Sequence, residues 1–158
     1  MDLLVRLYAL EPKPQLAAKL AKKGIVIRRV LAPELAPVTR WIGESFGAGW
    51  AGEATVSFAR QPPSCFIAIR KNQPVGFACY DATARGFFGP TGVDEAARGQ
   101  GIGQTLLLAC LFDMLAQGYA YAIIGDVGPV DFYARTVGAT RIAGSTPGIF
   151  AGRLRPTD

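Results

Sequence analysis

The sequence predicts an α/β chain folded as one domain around a mixed sheet. Three observations carry that reading. Cys65–Arg70 and Val75–Ala82 are apolar runs joined by the polar Lys71-Asn72-Gln73-Pro74, the pattern of an antiparallel hairpin. Phe87–Gly125 reads as strand, glycine loop, helix and strand, and its last run, Tyr119–Gly125, is apolar almost throughout, as a central parallel strand is. A right-handed crossover is expected for such a unit. The chain has 158 residues, of which 50% are apolar and 18% charged, enough for one buried core and unlike a disordered chain.

Taken in order, Leu3–Tyr8 reads as a short strand, and Pro12 and Pro14 then break the pattern. Gln15–Lys23 reads as a small helix with Leu16, Ala17 and Leu20 on one side and Gly24 closing it. Residues 1–24 are expected to form a strand–helix extension in front of a main unit over 25–158, as an added edge, a lid or a homodimer contact. Ile25–Val30 is β-branched and reads as a strand. Ala32–Phe46 reads as a helix whose true start is pulled towards Pro37, because a proline in a helix interior removes a hydrogen bond. Gly47-Ala48-Gly49 interrupts the chain, and Trp50–Arg60 reads as a second helix ended by Pro62-Pro63.

Phe87–Val93 contains Gly89, Pro90 and Gly92, which mark a bulge or an edge, and a bulge just before the loop would splay this strand from the next. Gln104–Gln117 carries Leu107, Cys110, Leu111, Met114 and Leu115 at helical spacing, a core stripe. Pro129 opens a short helix containing Phe132, Tyr133 and Arg135 that stops near Gly138. Thr140–Ala143 and Gly148–Leu154 are expected as a final hairpin.

Composition removes several chemistries. The chain has no histidine, so neither Ser-His-Asp nor Cys-His nucleophilic machinery nor a His-ligated metal is available. Cys65, Cys79 and Cys110 are widely spaced and form no CxxC pair, so no metal site is expected, and buried thiols in a reduced, cytoplasmic setting are. The N-terminus lacks the order of a signal peptide, and no apolar run approaches the ~20 residues that span a bilayer. The net charge of +5 favours an anionic ligand. The one basic cluster, Lys19, Lys22 and Lys23 followed by Arg28 and Arg29, reads as a solvated face, with a nucleic-acid-binding module as the weaker reading.

The stretch with the most chemistry is Arg98-Gly99-Gln100-Gly101-Ile102-Gly103, between a strand and a helix. Glycines let the backbone lie close to a ligand, and a helix beginning there aims unpaired N–H groups and its positive dipole end at an anion such as a pyrophosphate. An ordinary glycine turn feeding a helix has the same spacing. A Rossmann reading fails, because GxGxxG is absent and no acid is placed for a ribose.

Val93 to Gly103 resembles the acetyl-CoA loop of the GNAT superfamily of N-acetyltransferases, whose Arg/Gln-x-x-Gly-x-Gly/Ala pattern is met by Arg98, Gly101 and Gly103. Asp126 to Tyr133 is similar to the interval holding the family's Asn, Ala and Phe/Leu-Tyr pair, and Gly138-Ala139 resembles the Gly-Phe after it. The resemblance covers about residues 25–154. It implies a mostly antiparallel sheet with a central splayed parallel pair and helices on both faces. It also implies acetyl-CoA as donor, no metal, and a small-molecule or peptide amine as acceptor, with neither nucleic acid nor membrane as a partner.

By the same resemblance, backbone N–H groups of Arg98, Gly99, Gln100, Gly101, Ile102 and Gly103, with Gln104, hold the CoA pyrophosphate. Val93 pairs with the pantetheine arm, and Arg135 reaches a phosphate. Tyr133 is the candidate general acid for the leaving thiolate, since a phenol with a pKa of about 10 is protonated at neutral pH. Glu53, Asp81 and Asp126 are candidate proton acceptors. The sequence departs from the family at Glu95, where proline is frequent, and at Asp126, where asparagine is. An ionised Asp126 is expected to attract a cationic amine. The acceptor walls are expected from Phe46, Trp50, Glu53, Tyr80 and the segment around Gly148-Ile149-Phe150. A CoA-binding regulatory or interaction module without turnover is the alternative.

Overall fold

Lys71 and Asn72 turn the chain at the centre of the sheet. Both have positive φ (50° and 60°), the geometry of a tight hairpin turn matched to strand twist. They join β3 (Cys65–Arg70) to β4 (Gln73–Tyr80) in antiparallel register, with Arg70 opposite Gln73 and Cys65 opposite Cys79. In this computed structural model, which describes residues 1–155, five further strands complete the sheet. They are β1 (Leu3–Arg6), β2 (Ile25–Arg29), β5 (Phe87–Val93), β6 (Tyr121–Ile124) and β7 (Thr140–Arg141), in spatial order β2-β3-β4-β5-β6-β1-β7. Every pairing is antiparallel except β5 with β6. The fold is the mixed, mostly antiparallel one the sequence predicts.

The period of two along each strand divides the interior into two cores. On β4, Ala78 and Tyr80 join one core, while Phe77 and Cys79 join the other; Val75, skipped by the β3 register between Pro74 and Gly76, falls in the first. The first core is filled by α1 (Pro14–Lys22), α4 (Ile102–Ala116) and α5 (Val130–Val137), through Leu20, Leu106, Leu107, Leu111, Met114 and Tyr133. The second is filled by α2 (Leu35–Phe46) and α3 (Ala48–Phe58), through Val38, Ile42, Ala54 and Phe58. Helices therefore cover both faces. All three cysteines are buried and free. No helix among the described residues is long and apolar enough to cross a membrane.

β5 and β6 pair only at Phe87–Ile123 and Phe88–Ile124. Beyond that point the β4–β5 register slips, because Ala78 faces Thr91 while Tyr80 faces Phe88. Gly89 and Pro90 thus stand opposite the single residue Cys79, with Gly89 at φ +119°. The expected bulge is present, and the remainder of β5 leaves β6 there.

Two expectations at the chain ends are corrected. Leu3–Arg6 is not an edge: β1 lies between β6 and β7, and Leu3, Val5 and Leu7 are fully buried. Gly148–Leu154 forms no strand, so there is no final hairpin. Gly148–Phe150 is a single 3-10 turn that begins on a left-handed Gly148 and is followed by a left-handed Gly152, and β1 already occupies the free edge of β6. Helix boundaries also shift. A 3-10 turn over Ala32–Glu34 precedes α2, which places Pro37 in the first turn, where its missing N–H has no intrahelical partner to lose.

Candidate active site

Gly99 (φ +81°) and Gly101 (φ +87°) hold the loop before α4 in left-handed backbone that only glycine adopts freely. Arg98 N–H donates to Glu95 O at 3.3 Å, and the next backbone N–H with a protein acceptor is that of Thr105, bonded to Gly101 O at 3.0 Å. Among the described residues, the N–H groups of Gly99 through Gln104 have none. They lie at the start of a fifteen-residue helix, where the dipole adds positive potential. Such a cradle of unpartnered backbone donors at a helix N-terminus suits an anion.

The cradle opens into a cleft of about 1310 Å³, larger than the ~300–1,000 Å³ that suits a drug-sized ligand. The cleft passes through the splay. Its lining includes Arg98, Gly99, Gly101, Ile102, Gly103 and Gln104 at the cradle, Val93 and the rest of β5 on one side, and Ile124–Pro129 on the other. Phe46, Trp50, Glu53, Thr83 and Phe87 line it on the α2/α3 face, and Tyr133 and Phe132 on the α5 side. Arg98 Nε donates to Val93 O at 3.1 Å, which ties the cradle to the end of β5.

Tyr133 is buried, its ring edge-on to Phe88 (6.4 Å between centroids) and Phe132 (5.0 Å). Burial pushes its phenol up to about 12. Among the described residues, the one fully enclosed side-chain oxygen or nitrogen without a partner is Ser64 Oγ, so the Tyr133 hydroxyl is not sealed in. It is a protonated donor at the wall of the cleft.

The three candidate carboxylates separate. Asp126 is exposed at the end of β6 and lines the cleft. Glu53 is half-buried, lines the cleft and accepts the Thr83 hydroxyl through Oε1. Asp81 does not line it, because its carboxylate holds the 81–86 loop, accepting Gly86 N–H (2.7 Å) and the Tyr119 hydroxyl (2.6 Å).

Other expected site residues lie elsewhere. Tyr80 is no acceptor wall: the strand period turns it onto the α4 face, where its hydroxyl donates to Asp113 Oδ2 at 2.5 Å. Arg135 is exposed on α5 and outside the lining, and Gln100 turns its side chain back, Nε2 donating to Ala97 O at 3.0 Å. Ile149 and Phe150 line the cleft from the 3-10 turn that replaces the expected strand. Sequence reasoning missed Thr83 and the close seat of Phe87 on Gly125, and nothing local in the sequence signals either.

A mixed sheet with a splayed parallel pair and a glycine loop at its mouth is the fold of the acetyltransferase structures on which this chain superposes. Residues 35–139 match the Acetyltransferase (GNAT) family, and the chain belongs to that family. Solved structures share the fold. A glucosamine N-acetyltransferase region of a fungal multi-domain GH3 β-N-acetylglucosaminidase superposes over 86% of this chain and 19% of its own, with a TM-score of 0.70 at 15% identity. A GCN5-related N-acetyltransferase from Sphaerobacter thermophilus does so over 88% and 47%, with a TM-score of 0.64 at 20% identity. A GNAT family acetyltransferase from Brucella melitensis, in complex with acetyl-CoA, does so over 70% and 80%, with a TM-score of 0.53 at 20% identity. This chain thus spans less than half the length of the first two. No curated protein matches it.

Proposed function

We propose that the chain transfers the acetyl group of acetyl-CoA to a primary amine by direct attack in a ternary complex, with Tyr133 as general acid. The observation that carries this reading is the run of unpartnered N–H groups from Gly99 to Gln104, at one end of a cleft that leads through the strand splay to Tyr133.

In this reading the cradle holds the pyrophosphate, and the free edge of β5 towards Val93 takes the pantetheine arm as an added strand. The thioester then lies between β5 and Gly125. The ammonium first releases one proton to solvent; attack of the neutral amine then forms the C–N bond, collapse breaks the C–S bond, and the second proton shed by nitrogen restores the Tyr133 phenol. Tyr133 gives its proton to the departing sulfur, which leaves as a thiol. Asp126, exposed beside Gly125, shares the rim with Arg153 and Arg155 and offers a protonated amine a carboxylate there. The named N-acetyltransferase activities of the fungal and Sphaerobacter neighbours support an amine as acceptor.

The test is twofold. A ligand that binds only the native state raises its melting temperature, so millimolar acetyl-CoA is expected to stabilise the protein. Free thiol is then expected to appear when an amine is added. Stabilisation without thiol release from any amine would point to a CoA-binding module without turnover, and no stabilisation would remove the reading altogether.

A further inference from the structure

The cleft has two chemically different ends. The α4 end is a ring of backbone donors. The α2/α3 end is aromatic, and its rings are seated by glycines on the two splayed strands. A Cβ on Gly92 of β5 would lie 2.8 Å from the Phe46 ring, and one on Gly125 beside β6 would lie 2.9 Å from Phe87 and 3.4 Å from Phe150. Each side of the splay is thus covered by a ring in close contact with backbone. Phe46 is fixed further by Trp50 and Phe77, each with its centroid 5.6 Å away.

Within this aromatic end stands one carboxylate, Glu53. Thr83 occupies Oε1 and fixes the orientation of the group. The ion pairs among the described residues are Arg28–Glu34 and Arg29–Asp113, so Glu53 has no direct cationic partner; the cation that lines the cleft nearby, Arg153, lies over the Phe150 ring at 5.6 Å. A half-buried carboxylate beside aromatic walls, lacking a cationic partner, is a site for a ligand cation. The faces of Trp50 and Phe46 add attraction for an ammonium group.

From this geometry we infer that the acceptor is a monoamine with an aromatic or similarly apolar body, bound with its ammonium at Glu53 and its body against Phe46, Trp50 and Phe87. The inference rests on the acetyl-transfer reading above. A polyamine or an aminoglycoside carries several ammonium groups. Here they would meet one carboxylate inside and Asp126 at the rim, with the remaining charges desolvated against rings. A lysine in a peptide would bring polar backbone to the same walls. The apolar monoamine leaves neither charge nor amide unpartnered.

The experiment measures thiol release from acetyl-CoA with phenethylamine, tryptamine, spermidine, kanamycin and a lysine-containing peptide. The wild-type chain is compared with Glu53→Gln and with Trp50→Ala, a change at a partly exposed position. The expected result is a kcat/KM for the two arylalkylamines at least about tenfold above the others. Glu53→Gln keeps an acceptor for Thr83 but loses the charge, and it is expected to raise the arylalkylamine KM about tenfold or more. Trp50→Ala is expected to weaken tryptamine most, and both variants are expected to keep the wild-type KM for acetyl-CoA.

Preference for spermidine, kanamycin or the peptide, or an unchanged arylalkylamine KM in Glu53→Gln, would overturn the inference while leaving acetyl transfer intact. Acetyl-CoA stabilisation with no turnover of any amine would overturn both.

Discussion

Asp2 Oδ1 accepts the backbone N–H of Asp126 at 3.0 Å, which ties the first turn of the chain to the loop beside the cleft. Asp126 is held at φ +47°, a conformation that non-glycine residues adopt only when their surroundings impose it. The imposition is local and redundant. Val127 N–H donates to Met1 O at 3.1 Å, Asp2 N–H donates to Ser145 Oγ at 2.7 Å, and Ile142 N–H donates to Asp2 O at 2.9 Å. Asp2→Ala leaves the Asp126 N–H without its acceptor, at a cost of about 1–3 kcal/mol. Thermal denaturation is expected to show that loss. Because residues 125–127 line the cleft, the stabilisation given by acetyl-CoA is expected to shrink as well. Asp2→Asn keeps a carbonyl oxygen in place and is expected to restore most of both.

Gly101 closes the cradle and opens α4 in one residue. Its φ of +87° costs an L side chain about 1–2 kcal/mol, and a Cβ there meets nothing within 4 Å, so conformation alone is at stake. Gly101→Val is therefore expected to relax the loop out of the left-handed region rather than create a clash. The N–H groups from Gly99 to Gln104 then diverge. Calorimetric titration is expected to show acetyl-CoA affinity falling by more than tenfold, with the apo protein still folded and only modestly less stable. Equal affinity in the variant would show that the cradle does not bind the donor.

The features that sequence reasoning located are those written in local backbone chemistry. The glycine loop, the Lys71-Asn72 turn and the Gly89-Pro90 bulge each constrain their own φ and ψ, so neighbouring residues suffice to find them. Tyr80 was misplaced because β4 is buried on both faces from Val75 to Tyr80 and shows no alternation to reveal which side meets the cleft. Asp81 and Glu53 look alike in sequence, and only the fold brings Tyr119 to the one and Thr83 to the other. The place of β1 depends on partners more than a hundred residues away, which no local pattern encodes.

Asp113 holds the opposite face together and predicts an acid-labile contribution to stability. It receives Arg29 through two bonds (2.7 and 2.9 Å) and the Tyr80 hydroxyl, while Arg29 also stacks 4.9 Å from the Phe66 ring centroid. Burial pushes the Asp113 carboxyl up, but the Arg29 and Tyr80 bonds pull it further down, so it stays below the usual carboxylate range. A depressed carboxyl stabilises the fold above its unfolded value of about 4 and loses that contribution as pH falls through the folded value. Arg29→Met removes the pull. It is expected to cost about 2–3 kcal/mol at pH 7 and to flatten the fall in melting temperature between about pH 4 and pH 2. Denaturant unfolding across that range is the check.

Tyr133 allows chemistry and stability to be read from the same group. Tyr133→Phe keeps the ring against Phe88 and Phe132 and removes only the proton donor. The expected result is a kcat lower by about 10²–10⁴-fold, with the stabilisation by acetyl-CoA unchanged. The pH dependence follows from burial. A phenol raised to about 12 remains an acid throughout the working range, so the alkaline limb of kcat is not expected below about pH 10 on its account. The unfolded phenol ionises near its ordinary value of about 10 while the folded one does not, so its contribution is whole below pH 10 and is lost as pH rises towards 12. Tyr133→Phe is therefore expected to lose less stability than the wild type on passing from pH 9 to pH 11. A variant with wild-type kcat would remove Tyr133 from the reaction. One with low kcat and an unchanged alkaline stability profile would place the phenol in water rather than in the buried wall.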